Sequence, residues 1–148
     1  MGNINYLRVL IGGIIAAAVF IITEFFIEGL ASIFWGINES SLIVELFPQS
    51  LQSGLRFHLF NFLNLIIFCF LLIWVYAALC PRFTAGPKTA LICVLIFWMI
   101  EILFIMNLVN MNIFPCKLGL ISLIFNTIEL PVAALAGASM YQENTSKE

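Results

Sequence analysis

Charge is what this chain has least of. Only 9% of its 148 residues are Asp, Glu, Lys or Arg, where a soluble domain has roughly a quarter. Aspartate is absent, so all eight acids are Glu, and the single histidine is His58. Six basic residues against eight acids leave a net charge of −2, which excludes a basic nucleic-acid-binding protein. Catalytic signatures are missing as well. There is no Glu-x-x-His, so the di-metal carboxylate pattern of four-helix proteins is not met, and no Ser/His/Asp set, phosphate loop or haem attachment motif occurs. The four cysteines, Cys69, Cys80, Cys93 and Cys116, show no C-x-x-C spacing for zinc or redox work. They read as small packed hydrophobes. A non-catalytic protein with no cofactor and no metal is the expectation.

What is present in excess is apolar residues, 63% of the chain, with a mean hydropathy of +1.12. Such a composition excludes disorder and cannot face water throughout. Four segments reach the roughly 20 residues that a helix needs to cross a bilayer: 7–33, 57–79, 89–109 and 118–140. They are continuously apolar rather than alternating, which rules out a β-barrel. The expected fold is therefore an all-α integral membrane four-helix bundle, one transmembrane domain over 1–148 with short loops. The first segment resembles a signal peptide, but its apolar run is too long and Glu24 and Glu28 interrupt it. It is read as a retained first helix.

Four spans put both termini and the middle loop on one side of the membrane. That side carries Arg8, Arg82, Lys88 and Lys147, and the other carries Arg56 and Lys117. The excess predicts cytoplasmic termini. Pro81 should end the second helix, and Gly86-Pro87 should turn the chain into the third. The longest connection, 36–56, contains an apolar stretch at 41–47 that reads as a helix lying on the outer surface. Trp35, Trp74, Tyr76 and Tyr141 fall near span ends and read as interfacial anchors.

The middle loop runs Trp74-Val-Tyr-Ala-Ala-Leu-Cys-Pro-Arg-Phe-Thr-Ala-Gly-Pro-Lys-Thr-Ala90. It resembles an uncharacterised family of small four-helix bacterial membrane proteins whose inner loop reads W-x-Y-A-A-x-x-P-R-F-x-x-G-P-K-T-A. Gly12-Gly13, Glu24 and the terminal Gly137-Ala-x-x-Tyr141 fit the same pattern. The resemblance implies the architecture and a bacterial inner membrane location, and it implies no activity. Within the loop, Arg82 and Lys88 are candidate contacts for a partner or an anionic lipid head group; alternatively they only fix topology.

Four of the Glu residues lie inside spans: Glu24, Glu28, Glu101 and Glu129. An ionisable residue at the centre of a span costs roughly 2.5–3.5 kcal/mol, so such residues face protein, find partners, or carry function. On the fourth span Gly119, Ser122, Asn126, Glu129, Ala133, Ala136 and Met140 form one stripe, with Gly137 beside it. On the first, Gly13, Ala17, Glu24 and Glu28 share a face, and on the third Ala90 and Glu101 do. The second contributes His58, Asn61 and Asn64. These sides should face one another. Glu24 and Glu28 are expected to pair with Arg56 and His58 near the outer surface, while Glu101 and Glu129 should be buried and neutral. Pro131 frees the Thr127 carbonyl beside Glu129, a setting that suits either a cation or proton site or a plain helix contact.

Two functions remain open on these residues. One is an accessory or assembly subunit packed in a membrane complex or homo-oligomer. The other is a small proton- or cation-linked transporter or channel using its intramembrane Glu residues. The partners expected are the lipid bilayer, other membrane subunits or a second copy, and no nucleic acid.

Overall fold

The computed structural model describes residues 4–36 and 55–141, with side chains of the second helix from His58 onward. They form four helices: α1 (Tyr6–Trp35), α2 (Leu55–Phe83), α3 (Pro87–Asn110) and α4 (Cys116–Met140). Each is long and apolar enough to cross a membrane, and together they make an all-α four-helix bundle. The helices match the expected segments and overrun each of them by one to four residues at one end or both. The 41–47 surface helix lies outside the described residues.

The ends have local causes. Asn5 caps α1 by accepting the Arg8 backbone N–H at 3.2 Å. Gly36 closes it at φ 63°, where its N–H reaches the Ser32 carbonyl, a left-handed conformation that only glycine adopts without steric cost. Pro87 opens α3 at a position where its missing N–H costs nothing. Pro81 does not stop α2, which continues to Phe83. A proline loses only the bond to the residue four back, and so close to the end one lost bond does not halt the last turn.

Helix α1 packs against α2 and α4, and α3 packs against α4 and α2. We call the end that carries residue 6, the α2–α3 turn and Tyr141 the terminal end. Most of the core lies in that half: Val9, Ala16 and Ala17 of α1, Leu72, Ile73 and Ala77 of α2, Ala90 and Cys93 of α3, and Leu130, Ala133 and Ala134 of α4. Small residues let the backbones meet there. A Cβ on Gly137 would lie 2.7 Å from the Gly12 carbonyl oxygen, and one on Gly13 would lie 3.0 Å from Phe70 Cα. Gly137 therefore makes the close approach expected of the α4 stripe. Toward the far end Ala31 of α1 and Leu118, Gly119 and Ile121 of α4 are buried, while residues 58–64 of α2 are exposed.

Candidate functional site

Three groups of polar residues are placed by this frame. The first is the α2–α3 turn. Tyr76 is buried and its hydroxyl accepts the Gly86 backbone N–H at 3.0 Å. The Thr89 hydroxyl, also buried, donates to the Thr84 carbonyl at 2.6 Å, satisfying one of the orphan acceptors at the end of α2. Thr84 takes φ 66° to make the bend. Tyr141, just past α4, packs edge-on against Tyr76 with ring centroids 6.0 Å apart. Tyr76 and Tyr141 are thus a buried clasp and not the interfacial anchors expected of them. Their hydroxyls invite an interfacial reading, but residues at the inner end of a helix can be covered by the turn that follows. Trp35 and Trp74 are exposed. Arg82 and Lys88 flank the clasp and are exposed.

The second group lies along the α3–α4 seam. Asn126 donates its side-chain N–H to Glu101 Oε1 across the two helices. Gly119 meets Ile105 on the same seam, so the helices run antiparallel and Glu129 comes to the height of Trp98. Glu129 is only 3% exposed. The Trp98 indole N–H is buried with no acceptor among the described residues. Thr127 turns its hydroxyl back onto the Leu123 carbonyl at 2.7 Å, and α4 runs on through Pro131. Two cavities flank this group. One of about 210 Å³ is lined by Ile105, Asn110, Gly119 and Leu123 toward the far end. The other, of about 220 Å³, is lined by Leu91, Trp98, Thr127 and Pro131 toward the terminal end. Glu129 is therefore buried as expected, whereas Glu101, expected to be buried, is only half-buried and faces α4 through Asn126.

The third group is the far half of α1 and α2. Glu24 is exposed and Glu28 half-buried; His58, Asn61 and Asn64 are all exposed. Counting equally along both helices from the Gly13–Phe70 contact brings Glu24 level with Leu59 and Glu28 level with Leu55. Each acid thus stands at the height of a residue adjoining His58 or Arg56. The Arg56 side chain lies outside the described residues. The polar edge of α2 does not turn into the bundle, contrary to expectation. Close approach needs small residues, and those cluster in the terminal half; α2 at about 44 Å outruns the part of the bundle that they hold together.

Glu129 and the glycine contact lie where the sequence put them, Glu24, Asn61 and Asn64 do not, and the clasp was not foreseen. A signal was there: Tyr76 is followed by Ala77 and Cys80 on one helical face, a row too small to be a lipid-facing one. Cys69, Cys80 and Cys93 are buried as small hydrophobes, but Cys116 is exposed. Among the described residues no group of three metal-ligating side chains occurs. Fold and placement define a multi-pass α-helical membrane protein with an acid–amide contact between its last two spans. No family model, no curated protein and no solved structure matches the chain.

Proposed function

We propose that the protein is a non-catalytic subunit of a membrane assembly, joined to its neighbours through the far half of α1 and α2. The exposure of Asn61 and Asn64 on a membrane-spanning helix carries this reading. Lipid chains offer an amide no hydrogen bond, whereas a neighbouring protein does. The large exposed apolar side chains of the same half, including Phe25, Phe26, Phe60 and Phe62, add contact area. The resemblance of the inner loop and the basic residues at the terminal end support a bacterial inner membrane with both termini cytoplasmic.

The test is the size of the particle that leaves native membranes in a mild detergent. Light scattering with native electrophoresis should give a protein mass at least twice the 16.6 kDa of one chain. A monomer at native expression levels would overturn the reading.

The burial of Glu129 and the contact of Glu101 with Asn126 within membrane-spanning helices favour a second reading. In it the seam handles protons, with the carboxyls as the exchanging groups.

A further inference from the structure

On α2, exposed residues recur at steps of four and three: Phe60, Asn64, Ile67, Leu71, Trp74 and Ala78. That alternation is a 3.5-residue period, the spacing of a coiled-coil seam. The row is apolar except for one amide. Asn64 gives one of its protons to the Phe60 carbonyl of its own helix at 2.8 Å. An amide has a second N–H and a carbonyl oxygen still to offer. As donor and acceptor at once, it is complementary to another copy of itself.

We infer that this row is the surface on which two copies of the chain pair, α2 against α2, about a two-fold axis along the membrane normal. Copies inserted with one topology run their α2 helices parallel, and a two-fold axis between them sets each residue of the row opposite itself. Asn64 then meets Asn64 of the second copy, with Ile67 and Leu71 packed one and two turns further in. A single Asn in such a seam fixes register and strand number in a parallel pair. An unrelated partner must bring its own amide to the matching depth, whereas a second copy supplies it by symmetry. The inference rests on the association reading above, extends its surface along α2 into the terminal half, and names the partner.

Single cysteines placed at Ile67, Leu71 and Phe62 test it in native membranes, in a chain whose exposed Cys116 is changed to Ser. Phe62 is exposed but lies on the opposite side of α2 from the row. Oxidation should give covalent dimers with Ile67→Cys and Leu71→Cys and none with Phe62→Cys. Asn64→Leu should weaken pairing about tenfold, the loss of an interhelical hydrogen-bond pair. Its thermal midpoint as a monomer should not change, because Asn64 is exposed. Cross-linking at Phe62 equal to that at Ile67, or undiminished pairing of Asn64→Leu, would overturn the inference. A native particle holding this chain once beside other proteins would overturn it while leaving the subunit reading standing. A monomeric chain would overturn both.

Discussion

Asn126 meets Glu101 where hydrocarbon offers no competing hydrogen bond, so the contact holds α3 and α4 in register whatever else it does. Glutamine keeps the length and hydrogen-bonding capacity of glutamate but cannot exchange a proton. If the seam is structural, Glu101→Gln and Glu129→Gln should fold and assemble as the parent does. Proton flux driven by a pH step across proteoliposomes should then be at background in all three. Flux in the parent that falls at least tenfold in either variant would instead establish the proton-handling reading. Truncation is a different matter: Glu101→Ala strands the Asn126 donor in an apolar seam, at a cost of about 1–3 kcal/mol seen as a lower unfolding midpoint. The inward direction of both acids was legible because each repeats the phase of small residues on its own helix. Which partner each meets was not, since Asn126 lies 25 positions from Glu101 and helical phase carries no information across helices.

Helix α4 is the element on which the others depend. It touches α1 through Gly137 and Gly12, and α3 through Gly119 and Asn126. At Gly137 the neighbours are Ile73 and backbone of α1, and backbone cannot swing aside as a side-chain tip can. Gly137→Leu should therefore separate α1 from α4, with a loss of at least about 3 kcal/mol, the upper end of ordinary overpacking. Leu135→Phe, on the exposed side, should be tolerated. Unfolding midpoints in detergent compare the two, and equal midpoints would mean that the packed face is wrongly assigned. The stripe of α4 was readable from spacing alone, with Met140 at its end left exposed. The polar edge of α2 was readable as an edge and misread as an inward one. Periodicity says which residues share a side of a helix. Whether another helix reaches that side depends on small residues elsewhere, here Gly12, Gly13 and Gly137.

For the molecule as a whole, most of the buried core and the contacts of Gly12, Gly13 and Gly137 gather at the end that carries residue 6, Tyr141 and the α2–α3 turn, while α1 and α2 expose polar groups beyond it. Orientation in the membrane decides which compartment sees which end. With cytoplasmic termini, and in a chain whose exposed Cys116 is changed to Ser, a membrane-impermeant thiol reagent applied from outside should label Gln52→Cys and miss Thr84→Cys. The reverse pattern would invert the protein without changing the helix count.

The ring of Tyr141 closes over Tyr76 only after every helix has been made, because it follows the last turn of α4. Residues 76 to 86 hold their own turn through the Gly86 N–H, a contact that needs nothing beyond residue 86. In order of synthesis, the residues of the turn come first and the latch residue comes last. A chain cut short before Tyr141 would keep the hairpin and leave the Tyr76 ring uncovered at its inner edge.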